Sequence, residues 1–259
     1  MTSLPRQIVL ITGANSGIGY ETVKALLQSP NPYHIFLGSR NPEKGTQAIT
    51  SLKTECPNTT NTVEPITIDL TSDESITKAY ERVSSNPGRL DILINNAGAT
   101  FDLAHLSSPT TCTLRTSFTQ AYNTNVAGPH VLTNTFIPLL LTSPSPRLLF
   151  TSGLSHITQA SESYFPTPPQ PPGWPKPIIF ETIGYRCSKT ALNMLMLDWN
   201  HKLKADGVKV FGVMPGFLVT NLGGNPEMVR EMGGGEASIG GEFIQDVVRG
   251  GAMGMWAGW

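Results

Sequence analysis

The chain has 259 residues, of which 39% are hydrophobic, and a formal net charge of -1 at pH 7. This length is ample for a globular core, and the balanced charge provides neither the basic surplus of a nucleic-acid-binding protein nor an acidic tail. The cysteines, Cys56, Cys112 and Cys187, have no metal-ligand spacing and predict reduced thiols. The first apolar run is too short for a signal peptide or a membrane span, so we expect a cytoplasmic protein with no membrane or nucleic-acid partner.

Short apolar runs alternate with longer helical patterns along the chain. The runs predict strands at 7–12, 33–39, 63–69, 90–95, 147–152 and 208–214. Continuous apolar runs are typical of strands covered on both faces, as in a parallel sheet. Helical patterns lie near 17–29, 42–54, 73–86, 111–141 and 184–205. The alternation predicts an α/β protein with a single domain over residues 1–259, built on a doubly wound parallel sheet of six or seven strands with helices on both faces.

Two stretches depart from this alternation. Residues 164–177 read YFPTPPQPPGWPKP, and seven of these fourteen residues are proline. Proline lacks the amide donor and fixes φ, so we predict an extended surface loop, within an insertion at 157–180, that is either a rigid spacer or the wall of a binding site. The glycine-rich stretch at about 220–241 predicts a mobile segment and then a short helix. No strand pattern follows it, which leaves a seventh strand either absent or replaced.

A glycine-rich turn follows the first predicted strand. The sequence TGANSGIG occupies residues 12–19 and leads directly into a helical pattern. Glycine lets the backbone turn tightly and approach a pyrophosphate, which then lies at the amino end of the helix. A plain strand-to-helix turn is the alternative, but the position within the first β-α unit favours a nucleotide site.

A tyrosine and a lysine four positions apart occur twice in the chain. Tyr20 and Lys24 fall in the helix just behind the glycine turn, whereas Tyr185 and Lys189 fall in a later helix. Residues at this spacing share one helix face, where an ammonium group lowers the pKa of a neighbouring phenol. The location of the first pair predicts that it has no chemical role. The second is either a catalytic pair or an ordinary helix face.

Further landmarks decide between these alternatives. They are TGANSGIG (12–19), DL (69–70), NNAG (95–98), NTNVAG (123–128), TSGLS (151–155), YRCSK (185–189) and PGFLVT (215–220). In this order, from Ile8 to about Thr220, the chain resembles the short-chain dehydrogenase/reductase family, in its compact single-domain, carbonyl-reductase-like branch. The resemblance implies a Rossmann fold and an oxidoreductase that binds a nicotinamide dinucleotide.

The resemblance also implies a catalytic set. Tyr185 would protonate the substrate oxygen, while Lys189 would lower the tyrosine pKa and reach the nicotinamide ribose. Ser152 would hydrogen-bond the substrate oxygen, with Ser155 as the competing candidate. Asn125 would hold a water for proton relay, although a buried amide at a helix kink is the alternative reading and the two roles can coexist.

The end of the second strand predicts which dinucleotide binds. An acidic residue there would favour NAD, but the chain has Ser39 followed by Arg40. A guanidinium can bind a 2′-phosphate, which predicts NADP(H); a solvated arginine is the alternative. We expect no metal. The implied cofactor-binding residues are Gly13, Asn15, Ser16, Gly17, Ile18, Gly19, Ser39, Arg40, Asp69, Leu70, Asn95, Ala97, Gly98, Tyr185, Lys189, Pro215, Gly216, Val219 and Thr220.

We therefore predict an NADPH-dependent oxidoreductase that reduces a ketone, aldehyde or quinone, with Tyr185 as proton donor and residues 220–241 as a substrate lid. The alternative is an inactive or cofactor-sensing protein that binds NADP(H) without turnover. Ser152 and Tyr185 are 33 positions apart, more than in typical relatives. Carbonyl-reductase-like members carry an insertion here that obstructs tetramer packing, which predicts a monomer or homodimer. Phe101, Phe165, Trp174 and Phe217 suggest an apolar carbonyl substrate.

Overall fold

The computed structural model describes residues 6–152, 172–174, 176 and 182–251. In these ranges the sheet has six strands, all parallel, in the order β3-β2-β1-β4-β5-β6. The strands are β1 (Gln7–Ile11), β2 (Tyr33–Ser39), β3 (Thr62–Thr67), β4 (Ile92–Asn95), β5 (Arg147–Thr151) and β6 (Lys209–Val213). The predicted doubly wound parallel sheet is confirmed, and the strand order is that of a Rossmann fold.

Helices connect the strands and cover both faces of the sheet. They are α1 (Gly17–Gln28), α2 (Pro42–Glu55), α3 (Asp73–Ser85), α4 (Asp102–Ser107), α5 (Leu114–Tyr122), α6 (Gly128–Leu140), α7 (Ile183–Leu203), α8 (Pro226–Glu231) and α9 (Ala237–Arg249). A π-helical turn, Asn123–Ala127, joins α5 to α6.

The sheet separates two hydrophobic cores. Along β1, Leu10 faces the core formed with α3, α6 and α7, whereas Val9 and Ile11 face the core formed with α1, α2 and α9. Successive side chains of a strand point to opposite faces, so a strand covered on both sides must be apolar at every position. This requirement explains the continuous apolar runs in the sequence.

The helix predicted at 111–141 is three consecutive segments in the structure. Pro129 has no amide to donate to the carbonyl of Asn125, four residues earlier, and the chain widens into the π-helical turn at this point. Gly128 adjoins the turn, and a Cβ on it would lie 2.4 Å from the carbonyl oxygen of Leu70. The short helix α4 was not predicted.

The glycine-rich segment after β6 forms a loop whose two ends are hydrogen-bonded to each other. The amide of Val219 donates to the carbonyl of Gly235 (2.7 Å), and the amide of Gly235 donates to the carbonyl of Phe217 (3.0 Å). The predicted short helix is α9, which packs against α1 so closely that a Cβ on Gly241 would lie 2.5 Å from backbone carbon of Glu21.

Some sequence predictions fall wholly or largely outside the described residues. These are most of the proline-rich insertion, the competing Ser155, Phe165, and the segment where a seventh strand would begin. Trp174 is described and is 85% exposed. Among the helices of the described ranges, none has the length and apolar character needed to cross a membrane.

Candidate active site

The predicted site residues meet at the carboxyl edge of the sheet. A Cβ placed on Gly13, after β1, would lie 2.9 Å from the Cα of Ala97, after β4. A Cβ on Gly17 would lie 3.4 Å from the Cβ of Thr220, after β6. The carboxyl ends of parallel strands share one edge, and ligands of doubly wound sheets bind there.

The turn after β1 is held in a conformation that requires glycine. Gly13 and Gly17 have φ values of 62° and 57°, in the left-handed region. Thr12 Oγ1 accepts hydrogen bonds from the amides of Asn96 (3.1 Å) and Ala97 (3.0 Å), and Asn96 Nδ2 donates to the carbonyl of Thr12 (2.9 Å). Asn96 therefore fixes the turn to the loop after β4. The NNAG landmark contains Asn96, but only its neighbours Asn95, Ala97 and Gly98 were predicted to bind the cofactor.

The amino end of α1 faces this turn. Within the described residues, the side chain of Ser16 does not cap the helix, and the first turn carries no acidic residue. The first amides of a helix have no intrahelical acceptor and carry a partial positive charge. An uncapped end without a carboxylate is suited to an anionic group such as a pyrophosphate.

The ends of β2 and β3 form the neighbouring part of the edge. Ser39 is buried, and its hydroxyl donates to the carbonyl of Asn41 (2.8 Å), while Arg40 is exposed. Asp69, two residues beyond β3, accepts hydrogen bonds from the amide (2.9 Å) and hydroxyl (2.7 Å) of Thr71. These hydrogen bonds, with a smaller contribution from the Arg40 charge, lower the pKa of Asp69. Arg40 and Asp69 follow β2 and β3, which are adjacent strands of the sheet.

Tyr185 and Lys189 lie in the first two turns of α7. The Nζ atom of Lys189 is 5.7 Å from the centre of the Tyr185 ring and donates to the carbonyl of Thr151 (2.8 Å). Lys189 is only 4% exposed, and burial lowers its pKa from the ordinary value of 10.5 to about 8. A Cβ on Gly98 would lie 3.2 Å from Lys189 Nζ, so glycine leaves space in front of the ammonium group.

Asn125 lies in the π-helical turn and is fully buried. Its Oδ1 accepts from the amide of Ala99 (2.9 Å), and its Nδ2 donates to the carbonyl of Ala99 (2.8 Å) and to Ser188 Oγ (2.9 Å). Ser188 Oγ donates in turn to the carbonyl of Tyr185 (2.8 Å). The side chain thus connects the loop after β4 to α7. The main-chain carbonyl of Asn125 lacks its usual helical donor because residue 129 is Pro129.

Ser152 follows β5 and is buried beside α7. Its hydroxyl donates a hydrogen bond to Oδ1 of Asn193, one helical turn after Lys189. Asn193 was not predicted from the sequence. The available signal was its spacing, because residues 185, 189 and 193 follow each other at four-residue intervals along one helix face.

The remaining predicted cofactor contacts also lie in segments that follow strands at this edge. They are Asn15, Ser16, Ile18 and Gly19 after β1, Leu70 after β3, Asn95 at the end of β4, and Pro215, Gly216 and Val219 after β6. The described residues contain no cluster of three or more His, Cys, Asp or Glu side chains that could hold a metal ion.

Comparison with known proteins identifies the family. A family model described as short chain dehydrogenase matches residues 7–163. The chain is also 45% identical over 254 residues to the short-chain dehydrogenase/reductase tropE of Talaromyces stipitatus, covering 95% of this chain and 91% of that protein. The chain belongs to the short-chain dehydrogenase/reductase family.

Solved structures of other proteins share the fold of this short-chain dehydrogenase/reductase. An alcohol dehydrogenase from the archaeon Thermococcus sibiricus, in complex with 5-hydroxy-NADP, has a TM-score of 0.73 at 21% identity, covering 95% of this chain and 91% of that one. An NADPH-bound carbonyl reductase from chicken fatty liver has a TM-score of 0.66 at 26% identity, covering 85% and 83%.

The other tyrosine–lysine pair of this short-chain dehydrogenase/reductase, Tyr20 and Lys24, lies away from this site. The Tyr20 hydroxyl donates to Glu55 Oε1 (2.6 Å), and Lys24 Nζ forms an ion pair with Glu55 Oε2 (2.6 Å). Burial and the Glu55 carboxylate raise the pKa of Tyr20, the direction opposite to that needed for proton donation near neutral pH. This pair connects α1 to the end of α2.

Proposed function

We propose that this short-chain dehydrogenase/reductase is an NADPH-dependent enzyme that reduces a ketone, aldehyde or quinone to the alcohol. The observation that carries the proposal is the Tyr185–Lys189 pair, in which a buried ammonium group lies 5.7 Å from the centre of a partly exposed phenol ring. Ser152 and the Asn125 network adjoin the same helix. A protein that only senses the cofactor has no need for an ammonium group placed where it makes a tyrosine a stronger acid.

Tyr185 acts as the proton donor. A bound nicotinamide supplies the hydride, and the substrate oxygen then develops negative charge that a proton must neutralise. An ordinary tyrosine has a pKa of about 10, which makes it a weak acid at neutral pH. The ammonium of Lys189 favours the phenolate and so makes Tyr185 a stronger acid. With a pKa of about 8, Lys189 retains this charge at pH 7.

Ser152 stabilises the substrate oxygen by a change of hydrogen-bond partner. A serine hydroxyl has one proton to donate, and Ser152 donates it to Asn193 in the structure. For catalysis the hydroxyl turns from Asn193 to the substrate oxygen as charge develops there. Asn125 would hold the water through which Tyr185 is reprotonated.

Several residues would hold NADP(H). The uncapped amino end of α1 would hold the pyrophosphate, and Arg40 would hold the 2′-phosphate, where Ser39 introduces no competing carboxylate. Asp69 would bind the adenine, and Thr220 would bind the nicotinamide carboxamide. The ribose contacts are Asn95, Ala97, Gly98, Tyr185 and Lys189. The NADP complexes among the structural neighbours support this choice.

The substrate is a mostly apolar carbonyl compound. Phe217 is 56% exposed at the base of the glycine-rich loop, and Leu222 is exposed further along it. In the same loop, a Cβ on Gly223 would lie 3.5 Å from side-chain carbons of Thr100 and Leu103, after β4. These residues provide apolar surface beside the catalytic edge. The monomeric or homodimeric state and the cytoplasmic location stay predictions.

NADPH consumption by the purified protein tests this function. The substrates are quinones, aromatic ketones and aliphatic aldehydes, with NADH as the alternative cofactor. Tyr185→Phe is the inactivating variant and Tyr20→Phe is its matched control on the other tyrosine–lysine pair. We expect turnover that requires NADPH and Tyr185 but not Tyr20. Tight NADPH binding without turnover of any compound would instead favour the inactive or cofactor-sensing alternative.

A further inference from the structure

Asp102 carries a buried carboxylate at the start of α4. It is 4% exposed, and its oxygens accept three hydrogen bonds. Oδ1 accepts from the amide of Gly184 (2.8 Å), while Oδ2 accepts from the amide of Tyr185 (3.0 Å) and from the hydroxyl of Thr100 (3.0 Å). Two of the donors are therefore main-chain groups in the first turn of α7, and one belongs to Tyr185 itself.

This contact is an unusual form of helix cap. The first amides of a helix lack intrahelical acceptors and are commonly capped by the side chain of the residue just before the helix. In the described part of the chain, Asp102 supplies the cap of α7 from 82 positions earlier, and the side chain of Thr182 does not. A Cβ on Gly184 would lie 2.9 Å from Asp102 Oδ1, so the close approach of carboxylate and backbone depends on glycine at that position.

The residues around Asp102 also contact the glycine-rich loop. Gly223 of that loop adjoins Thr100 and Leu103, which lie on either side of Asp102 in the sequence. The same short segment thus lies beside the loop through its neighbouring residues and binds the backbone of Tyr185 through its carboxylate.

We propose that Asp102 is a positioning residue for Tyr185, holding the first turn of α7 so that the phenol meets the substrate oxygen. The proposal rests on the reductase function proposed above. Tyr185 is the third residue of a helix whose first turn would otherwise fray, and the position of a proton donor must be held closely for efficient transfer. Asp102 itself touches neither the substrate nor the cofactor in this role.

Two variants disturb the contact in different ways. Asp102→Asn keeps the size of the side chain but replaces one acceptor oxygen with an NH2 group facing an N–H donor. Gly184→Ala keeps the carboxylate and displaces it, although alanine is the better helix former. We expect each to lower kcat about 10- to 100-fold, with a change of about twofold or less in KM for NADPH. The double variant should be no worse than the more impaired single variant, because both remove one interaction.

Ser72→Ala is the matched control. Ser72 Oγ caps α3, away from Tyr185, by accepting from the amide of Ser75 (3.2 Å). This variant should lose stability but retain kcat. Unchanged kcat in both Asp102→Asn and Gly184→Ala, or an equal fall of kcat in Ser72→Ala, would overturn the proposal. Should Asp102→Asn fail to fold, Gly184→Ala still decides the question.

Amide hydrogen exchange separates this proposal from the reductase function, because it requires no substrate. Exchange at Gly184 and Tyr185, followed by mass spectrometry on short fragments, should accelerate in both variants and not in Ser72→Ala. Unaltered exchange would refute the contact whatever the turnover. If exchange accelerates while the unmodified protein reduces no compound, Asp102 holds the turn as inferred, and it is the reductase function that fails.

Discussion

Replacing Lys189 by methionine should make the protein more stable near neutral pH while removing its activity. Methionine has a similar length and no charge, so the change removes an ammonium group that is 4% exposed. Burial lowers the pKa of this group from 10.5 to about 8, which means that the folded protein holds the charged form at a cost in free energy. The lost hydrogen bond to Thr151 offsets part of the gain.

The pH dependence of the free energy of unfolding gives the magnitude of this cost. The folded-state pKa of Lys189 lies below the unfolded value, so between pH 8 and 10.5 the unfolded chain binds the proton and the folded chain does not. The free energy of unfolding therefore rises with pH across this window, and this contribution from Lys189 is lost as the pH falls through 8. Between pH 7 and 10, Lys189 should contribute about 2 to 3 kcal/mol to the increase, and the methionine variant should lack this contribution.

Urea unfolding of both proteins at several pH values from 7 to 10 measures the effect. The difference between the two curves isolates Lys189 from the other groups that titrate in this range. The advantage of Lys189→Met should be greatest at pH 7 and shrink towards pH 10. Lys53→Met, at an exposed position of α2, is the control and should follow the unmodified protein. Parallel curves for Lys189→Met and the unmodified protein would refute the reasoning.

Three further substitutions test separate parts of the structure. Arg40→Ala should lower kcat/KM with NADPH about 10- to 100-fold through the lost phosphate contact. It should leave kcat/KM with NADH nearly unchanged, and an equal loss with both cofactors would contradict the role of Arg40 in binding the 2′-phosphate. Tyr20→Phe should lower the free energy of unfolding by about 1 kcal/mol without affecting turnover, and reduced turnover would argue against its structural role. Asp91→Ala should destabilise by about 3 kcal/mol in urea unfolding, because Asp91 is buried and accepts from the amide of Ile8 (2.7 Å) and from Arg89 (3.2 Å); unchanged stability would show that these donors find other acceptors.

The parts of the fold that depend on local pattern were predictable from the sequence. Strands such as β1 are buried on both faces, so every position is apolar and the run is unmistakable. The glycine turn was predictable because positive φ leaves few alternatives to glycine at Gly13 and Gly17. The order of the landmarks then predicted that Tyr185 and Lys189 lie at the carboxyl edge of the sheet, and the structure has them there.

The features that were missed depend on contacts between distant segments. Asp102 and Gly184 are 82 positions apart, and nothing local to either one indicates a hydrogen bond between them. The Ser152–Asn193 contact depends on how α7 packs beside β5. The π-helical turn had a local signal in Pro129, because a proline in the interior of the helix predicted at 111–141 removes one helical hydrogen bond, but that signal does not specify a π-helical turn. Tertiary packing decides each of these cases.

Two buried charges in the structure are stabilised in different ways, and the difference bears on function. Asp91 has an arginine partner in Arg89, together with hydrogen bonds from Ile8 and Ser143. Lys189 donates to the neutral carbonyl of Thr151, and burial is the cause of its lowered pKa. A buried charge compensated by a partner fits a purely structural role, whereas one held at a cost in stability calls for another reason to be retained. Stabilisation of the Tyr185 phenolate, as proposed above, would be such a reason.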